Sequence, residues 1–465
     1  MNKPATVGEL KAAGYGIRSV KSEIRDNLIA KIKAGQDPFP GIIGYGDTVI
    51  PQIENAVLAG QDIILLGERG QAKTRLMRSL VHLLDDEIPV LDGCEINDQP
   101  FAPICKRCRE RLSELGDQTP IAWLPRSRRY NEKLATPDVA IADLIGEVDP
   151  IKIAEGRYLS DERAIHFGLI PRTNRGIFGL NELPDLSEKI QVGLFNILEE
   201  RDVQIRGFAV RLPLDIYLIA SANPEDYTNR GRIVSPLKDR FGSQIRTHYP
   251  ASHRCELQIV SQERYRFPEE DKIFVPDFIG QILVEITRQA RKHPQIDQTS
   301  GVSVRVTIGN MENVIANALR RLLRTTDRMA VPRMTDLDYI DASTCGKVEI
   351  DAFGSESKEG LIRELVGRAV AAVFGRFFAD YDFSAFLQNF KNDRSVVISD
   401  RIAGRDYRRQ IDSLEGFAEI GRRLGASNAE TLAAALEFVL EGLHQSGRLA
   451  RERGDDGQLV TFTGT

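Results

Sequence analysis

The chain has 465 residues, of which 42% are hydrophobic and 28% are charged, and its formal net charge is −5. This length predicts about two to four domains, and the composition is typical of a globular protein. The acidic balance argues against a protein that binds nucleic acid constitutively. No apolar stretch approaches the roughly 18–20 residues of a membrane span, and the N-terminus lacks the apolar core of a signal peptide. We therefore expect a cytoplasmic protein that does not interact with a membrane.

The pattern of apolar residues divides the chain into four predicted parts. Residues 1–40 form a helical leader, with one helical pattern over residues 7–34. Residues 41–250 alternate strand-like runs with helical patterns, which indicates a parallel sheet covered by helices on both faces. Residues 251–350 are expected to form a helical lid and residues 351–465 a mostly helical extension, with few strands in either. The predicted core strands are 63–66, 176–180 and 216–220, and the predicted core helices are 71–84, 187–199 and 235–241.

A glycine-bearing loop follows the first predicted strand and ends in Lys-Thr at the start of a helix. This order is typical of a phosphate-binding loop, because glycines let backbone N–H groups turn toward phosphate oxygens and a helix N-terminus favours anions. Lys73 is expected to reach the β- and γ-phosphates of a nucleotide, and Thr74 to place its hydroxyl on Mg²⁺. Ala72 departs from the usual pattern, which has glycine directly before the lysine. The predicted nucleotide-binding residues are Gly67, Glu68, Arg69, Gly70, Gln71, Ala72, Lys73 and Thr74.

Polar side chains follow the next two predicted core strands. Asn181 and Glu182 stand where P-loop enzymes usually have Asp-Glu. Asn181 retains an oxygen ligand for Mg²⁺ but lacks the charge, whereas Glu182 can still polarise the attacking water. Asn223 ends the following strand, and its amide is expected to orient the same water or to contact the γ-phosphate. The sequence therefore predicts an Mg²⁺-nucleotide site at one edge of the sheet.

Two arginines further along the chain complete the predicted catalytic set. Arg240 ends an amphipathic helix, from which it is expected to stabilise transition-state charge in a neighbouring subunit's site. Arg305 begins a lid helix and is expected to contact the γ-phosphate. Taken singly, these polar residues have ordinary alternatives as helix caps, turns or surface ion pairs. Their order along the chain favours the catalytic interpretation.

Together these motifs resemble those of AAA+ ATPases of the helix-2-insert group, and most closely the I subunit of magnesium chelatase. The resemblance covers roughly residues 40–345. MoxR-type ATPases, a sister group, have alanine before the loop lysine, so the family tolerates Ala72. The family usually has aspartate where this chain has Asn181. The stretches that resemble the family are residues 41–45, 67–74, 135–138, 143–149, 174–176, 181–186 and 237–242.

The resemblance implies a P-loop AAA+ core in an ATPase that uses Mg-ATP. It also implies a ring, expected to be a hexamer, that remodels or activates a partner protein, which in this family often has an integrin-like metal-binding domain. Residues about 138–170 would form the helix-2 insert, and residues 203–208 a hairpin whose alternating polarity also fits a strand.

Two other functions stay open at this point. Asn181 favours a nucleotide-binding scaffold or switch with negligible hydrolysis. A DNA-associated AAA+ ATPase would need a DNA-binding domain, and residues 351–465 contain no clear basic recognition helix. The basic segment 447–453 leaves a winged helix open, although nucleic acid is not the expected partner.

Three of the five cysteines lie in an insertion at about residues 92–130. Cys105 and Cys108 have C-x₂-C spacing, which suits tetrahedral Zn²⁺, and Cys94 is a candidate third ligand. A fourth ligand is not evident, with His82 and Asp92 as candidates. Reduced surface thiols and a redox-sensitive cluster among basic neighbours are the alternatives.

Overall fold

The computed structural model divides into two compact units, Met1–His248 and Tyr249–Thr465. None of the helices among the described residues combines the length and hydropathy that crossing a membrane requires. The structure describes residues 3–149, 151, 154, 162–200, 202–204, 211–223, 233–298, 301–349, 357–391, 394–454 and 459–464.

A five-stranded parallel sheet is the centre of the first unit. The strands lie in the order β11 (Ser243–Arg246), β1 (Ile63–Leu66), β10 (Ile216–Ala222), β7 (Gly176–Asn181) and β4 (Tyr130–Leu134). The three predicted strands are therefore the central ones. Ile63 of β1 is opposite Ile219 of β10, and Ile216 at the start of β10 is opposite Gly176 of β7. This register brings the carboxyl ends of β1, β7 and β10 to the same edge, which is where parallel α/β sheets bind ligands.

Among the described residues of the first unit, three antiparallel strand pairs lie outside the central sheet. One of them, β5 with β6, joins the two ends of the predicted helix-2 insert; residues 150, 152–153 and 155–161 lie outside the described residues. Residues 205–208 of the predicted hairpin also lie outside them, but the strands on either side pair with each other. The pairs are β2 (Glu87–Leu91) with β3 (Ile121–Pro125), β5 (Gly146–Val148) with β6 (Ile165–Phe167), and β8 (Asp202–Gln204) with β9 (Arg211–Pro213).

The helices of the first unit differ from the predicted ones at two places. The leader has two helices rather than one, because Gly14 has a φ of +67° and the chain between them leaves the helical conformation. The predicted helix 71–84 is an α-helix only from Lys73 to Ser79 and continues as a 3₁₀ turn. The helices are α1 (Val7–Ala12), α2 (Val20–Lys33), α3 (Val49–Leu58), α4 (Lys73–Ser79), α5 (Lys106–Leu115), α6 (Ile141–Leu144), α7 (Leu169–Arg172), α8 (Glu188–Glu200) and α9 (Ser235–Arg240).

The leader helix α2 packs into the core of the first unit. Its buried apolar residues Val20, Ile24 and Leu28 share one hydrophobic cluster with the strand residues Ile63 and Tyr217. The side-chain oxygens of Asp215 accept hydrogen bonds from the Val20 N–H at 3.1 and 2.9 Å, which satisfies a donor at the helix start. The leader is thus an integral part of the first unit.

The second unit is mainly helical and has one continuous hydrophobic core that includes both the predicted lid and the predicted extension. Aromatic side chains form much of it, with Phe278 stacked on Phe438 at 4.4 Å between ring centroids. The division of this unit into lid and extension stays a prediction. Its helices are α10 (His253–Glu263), α11 (Asp277–Ala290), α12 (Arg305–Arg324), α13 (Asp341–Thr344), α14 (Lys358–Phe377), α15 (Ser384–Leu387), α16 (Gly404–Ile411), α17 (Phe417–Arg423) and α18 (Ala429–Gln445).

The second unit also has a three-stranded antiparallel sheet that the sequence pattern did not predict. Its strands are β12 (Val396–Ile398), β13 (Leu449–Arg453) and β14 (Val460–Gly464), in the order β12-β14-β13. A strand, three helices and a closing hairpin make this arrangement winged-helix-like. The long helix α18 before the hairpin contains three glutamates and no lysine or arginine, and most of its side chains are buried. It therefore lacks the basic surface of a DNA-recognition helix.

Candidate nucleotide-binding site

The predicted phosphate loop connects β1 to α4 at the centre of the sheet. Gly70 has a φ of +77°, and Ala72, the N-cap of α4, has a φ of +56°. Left-handed backbone at both positions turns the loop back on itself before the helix begins, and such turns aim N–H groups into a concave surface that suits anions. Ala72, at the position where P-loops usually have glycine, therefore has the left-handed conformation that glycine adopts most easily.

A hydrogen-bond network beneath the loop fixes its shape. The Gln71 side-chain oxygen accepts from the Thr247 hydroxyl at 2.8 Å and from the Glu68 N–H at 3.1 Å. The Tyr45 hydroxyl lies 2.8 Å from the carbonyl of Gln71 and 2.7 Å from that of His248. Burial raises the pKa of Tyr45 to about 12, which keeps its hydroxyl protonated and able to donate.

Sequence patterns did not indicate Thr247 as part of the site. Gly67 has no room for a side chain, because a Cβ there would lie 1.9 Å from the Thr247 hydroxyl oxygen and 2.3 Å from the Gln71 side-chain oxygen. Thr247 directly follows β11, beside β1 in the sheet, so the spatial neighbour is far away in sequence.

Lys73 is buried among oxygen atoms at the carboxyl edge of the sheet. Its ammonium donates to the Asn223 side-chain oxygen at 2.6 Å, to the Glu68 carbonyl at 2.9 Å and to the Gly67 carbonyl. Only 6% of the residue is exposed, so its charge depends on these acceptors. A lysine held in this way is positioned to donate to phosphate oxygens instead of the loop carbonyls.

Thr74 and Asn181 meet at the next position along this edge. The Thr74 hydroxyl donates to the Asn181 side-chain oxygen at 3.2 Å, and the Ser221 hydroxyl donates to the same oxygen at 3.3 Å. The Ser221 oxygen in turn accepts from the Glu182 N–H at 3.1 Å. Three neutral oxygens, from two hydroxyls and one amide, therefore converge beside the loop.

Glu182 and Asn223 form the third part of the site. The Asn223 amide nitrogen donates to the Glu182 carboxylate at 2.9 Å, while its oxygen accepts from Lys73. The two contacts use the opposite ends of the amide, so they determine its orientation. Glu182 has a left-handed backbone with a φ of +56°, which turns it out of β7 toward Asn223.

The donor set fits a magnesium-bound nucleotide. Mg²⁺ prefers oxygen ligands and usually retains water and substrate phosphates, so the Thr74 hydroxyl with a single neutral amide oxygen is a sparse but compatible set. The left-handed loop, the buried lysine and the N-terminus of α4 supply positive potential for phosphates. Because Asn181 is neutral, the oxygens available to Mg²⁺ carry less negative charge than they would with an aspartate at this position.

The two predicted arginines belong to different units of the chain. Arg240 ends α9 with 32% of its side chain exposed, and its guanidinium faces Asp239 at 3.4 Å. Arg305 begins α12 in the second unit and is exposed, with its backbone N–H donating to the Ser303 hydroxyl at 3.1 Å. Their catalytic roles stay predictions.

The three clustered cysteines do come together, with a fourth residue that the sequence analysis missed. Cys94, Asp98, Cys105 and Cys108 form one group, to which neither of the candidate fourth ligands, His82 and Asp92, belongs. Hydrogen bonds from the thiols of Cys105 and Cys108 lower the pKa of Cys94, and burial raises the pKa of Asp98 to about 6. Asp98 stands four residues after Cys94, but this spacing by itself does not indicate a metal ligand.

The fold and the site define a protein of the AAA+ class, with a P-loop core that has the architecture of a nucleotide-binding domain. A family model described as the Sigma-54 interaction domain matches residues 153–240. Similar proteins include the magnesium-chelatase subunit ChlI of Nicotiana tabacum, 28% identical over 369 residues that cover 77% of this chain and 74% of that protein. Subunit ChlI-1 of Arabidopsis thaliana is 30% identical over 246 residues, 51% of this chain and 54% of that protein. The resemblance to magnesium-chelatase I subunits is thus confirmed.

Most of these matches cover only part of the relative's length. The chain spans between 54% and 64% of the length of seven other magnesium-chelatase subunits that it matches, among them ChlI-1 of Arabidopsis thaliana. A solved structure of the magnesium-chelatase complex between subunits BchI and BchD contains a chain that is similar over 71% of this chain and 98% of its own length, with 18% identity and a TM-score of 0.35.

Proposed function

We propose that this chain is an Mg-ATP-dependent ATPase that assembles into a ring and drives a conformational change in a partner protein. The observation that supports this most directly is the continuous hydrogen-bond chain from Lys73 through Asn223 to Glu182, joining the loop lysine to the candidate base. Such a chain links the phosphate end of the site to the water-activating end through one oriented amide.

Each residue of the site has a distinct task in this proposal. Lys73 binds the β- and γ-phosphates, and Thr74 with Asn181 holds the metal, which when bound supplies positive charge at the phosphate oxygens. Glu182 accepts a proton from the attacking water, and Asn223 holds that water in line. Left-handed backbone at Glu182 keeps the carboxylate beside Asn223 rather than in the strand.

Arg240 and Arg305 complete the site from other parts of the assembly. An arginine supplied by a neighbouring subunit stabilises charge on the transferring phosphoryl group, so the site of a monomer is incomplete. We propose that Arg240 acts in this way between subunits and that Arg305 contacts the γ-phosphate from the lid. The partner is expected to be a protein, with an integrin-like metal-binding domain as the family resemblance implies.

Replacing the candidate base tests the proposal directly. Glu182→Gln removes the proton acceptor but keeps the shape and the hydrogen bond from Asn223. We expect phosphate release to fall by at least about 10²-fold, while ATP still binds with near-normal affinity. The measurement is steady-state phosphate release with Mg²⁺, together with the equilibrium binding of a fluorescent ATP analogue.

Glu188→Gln is the matched control, because Glu188 is an exposed glutamate at the start of α8. It should change neither quantity. Normal hydrolysis in the Glu182→Gln protein would contradict the assignment of Glu182 as the base.

Because Asn181 is uncharged, this candidate metal ligand favours a second function, that of a nucleotide-binding scaffold or switch. Asn181 already accepts hydrogen bonds from Thr74 and Ser221 and brings no charge to the metal. If the chain is a scaffold, the natural protein binds ATP but releases phosphate no faster than Glu182→Gln does. If it is an enzyme, Asn181→Asp lowers the Mg²⁺ concentration needed for half-maximal hydrolysis, because a carboxylate attracts the cation more strongly than an amide.

A further inference from the structure

The first unit contains a second group of metal-binding side chains, apart from the phosphate loop. Cys94, Asp98, Cys105 and Cys108 each offer one ligand atom, and these four atoms all lie within 4.8 Å of one another. Cys94 and Asp98 belong to the turn after β2, whereas Cys105 is the N-cap of α5 and Cys108 lies in its first turn. Two separate parts of the insertion thus bring their ligands to one point.

The buried carboxylate of Asp98 indicates that the group is incomplete as it stands. The residue is 0% exposed, and its Oδ2 accepts from the Cys105 N–H at 3.0 Å. Its Oδ1 is buried with no hydrogen-bond partner among the described residues. A buried carboxylate oxygen without a partner is costly, and a bound cation would remove that cost.

Backbone N–H groups around the sulfurs are arranged as they are around metal-bound thiolates. The Asp98 N–H donates to the Cys94 sulfur at 3.3 Å, and the Cys108 N–H donates to the Cys105 sulfur at 3.4 Å. The N-terminus of α5 adds positive potential beside Cys105 and Cys108. These contacts stabilise negative charge on sulfur and orient the ligands, which is what outer-shell hydrogen bonds do in metal sites.

We propose that these four residues bind one Zn²⁺ in a closed, structural Cys₃Asp site. Three thiolates and one carboxylate are ligands that zinc accepts, and four protein ligands leave no position open for a catalytic water. Zinc–sulfur bonds of about 2.3 Å place the sulfurs of a tetrahedral site about 3.8 Å apart, so binding draws the ligands together by up to roughly an ångström. Each thiol loses its proton as the metal binds.

The metal cross-links a part of the insertion that has little regular structure. Between β2 and α5 the chain has no helix or strand among the described residues, and Cys105 and Cys108 nevertheless lie in a hydrophobic cluster with core strands. Bridging Cys94 and Asp98 to α5 restrains this stretch against the core. The site is therefore a stabilising element of the insertion, and its assignment does not depend on whether the protein hydrolyses ATP.

Metal analysis of the full chain tests the proposal. Protein purified without chelator, or reconstituted with Zn²⁺ and desalted, should contain one zinc per chain by inductively coupled plasma mass spectrometry. The Cys105→Ser/Cys108→Ser double variant should retain no zinc, whereas Cys255→Ser/Cys345→Ser, which alters the two cysteines outside the group, should retain all of it. Asp98→Asn should keep the fold and weaken zinc binding by at least about tenfold.

Cobalt substitution keeps the test decisive if the double variant fails to fold. Wild-type protein loaded with Co²⁺ should show thiolate-to-cobalt charge-transfer bands and the strong visible bands of tetrahedral cobalt, and Zn²⁺ should abolish both. A natural protein that binds neither metal, or one that keeps full zinc without Cys105 and Cys108, would overturn the proposal. A disulfide between those two cysteines in protein prepared under reducing conditions would do the same.

Discussion

Ala72 and Glu182 hold left-handed backbone conformations without being glycine, each with a φ of +56°. An L-residue in this conformation costs about 1–2 kcal/mol relative to the right-handed one. Such a conformation persists only where surrounding contacts hold the residue in place, and strained residues of this kind are concentrated at functional sites. Ala72 starts the helix that presents Lys73, and Glu182 brings the candidate base to Asn223, so both strained residues position groups that the proposed reaction uses.

We expect Ala72→Gly to stabilise the nucleotide-free protein. Glycine relieves the left-handed strain but loses more chain entropy on folding, and the net gain should be about 0.5–1 kcal/mol. Unfolding in denaturant, followed by the fluorescence of Trp123, measures it, because Trp123 is the protein's one tryptophan and lies in the first unit.

Ala34→Gly is the matched control for this prediction. Ala34 is an exposed helix C-cap with a φ of −83°, so glycine there should destabilise the protein by up to about 1 kcal/mol. Equal destabilisation by both substitutions would show that Ala72 is not left-handed in solution.

At the scale of elements, a buried ion pair joins the leader helix α2 to the central sheet. Arg129, directly before β4, donates to both carboxylate oxygens of Glu23 at 2.6 Å, and both side chains are almost fully buried. The Arg129 Nε–H also donates to the Arg175 carbonyl at 2.9 Å, and Glu23 accepts from the Asp85 N–H at 2.7 Å. Every charged atom thus has a partner, which a buried pair requires.

We expect Glu23→Ala to destabilise the first unit by about 3–5 kcal/mol, because it leaves the Arg129 charge buried and uncompensated. The free energy of unfolding comes from the same Trp123 fluorescence transition. Adding Arg129→Met to Glu23→Ala should recover part of the loss, since the unpaired charge is then gone.

Asp117→Ala provides a control in the same unit, since it breaks the exposed Lys11–Asp117 pair. Its effect should stay within about 1 kcal/mol. A similar loss from Asp117→Ala and Glu23→Ala would mean that α2 does not dock as the structure shows.

The strands of the second unit were not predicted from the sequence pattern. The extension was predicted to be mostly helical, but α18 ends at Gln445, and Gly447 takes a φ of +72° where the chain turns into β13. β12 has three residues, too few for a periodic signal, and it becomes a strand only by pairing with β14. The resulting winged-helix-like arrangement buries α18, which counts against the DNA-associated alternative.

At the scale of the whole molecule, we proposed that Arg240 acts in the site of a neighbouring subunit. Hydrolysis should then depend on the assembly of subunits. Specific ATPase activity should therefore rise with protein concentration until the ring is complete. Arg240→Ala should lower hydrolysis by about 10³-fold while leaving ATP binding in place. Phosphate release across a protein dilution series, with size measured at each concentration by light scattering, tests both statements.

Mixing variants provides the discriminating control. Arg240→Ala keeps its own base, and Glu182→Gln keeps its arginine, so interfaces formed between the two should restore hydrolysis that neither has alone. Arg254→Ala, which alters an exposed arginine on α10, should behave as the natural protein does. Activity that stays independent of concentration and of mixing would contradict a role for Arg240 between subunits.

Much of the site could be predicted from the sequence because its residues directly follow strands. Asn181, Glu182 and Asn223 stand at the ends of short apolar runs, and Lys73 ends the glycine-bearing loop that follows another such run. Parallel strands bring these ends to one edge of the sheet. Tyr45, Thr247 and Ser221 could not be predicted in this way, because their contacts depend on which strands are neighbours. Asp98 was missed for a similar reason, since its carboxylate meets the sulfurs only after the insertion has folded.

By itself, the sequence determined the phosphate loop, the three central strands and the polar residues at their ends, because apolar periodicity and glycine placement are local properties of the chain. Tertiary structure alone decided the left-handed conformation of Ala72, the docking of α2 through Arg129 and Glu23, and the completion of the cysteine group by Asp98. These features arise from contacts between residues that are distant along the chain or from backbone angles imposed by such contacts. No local pattern of residue types specifies them.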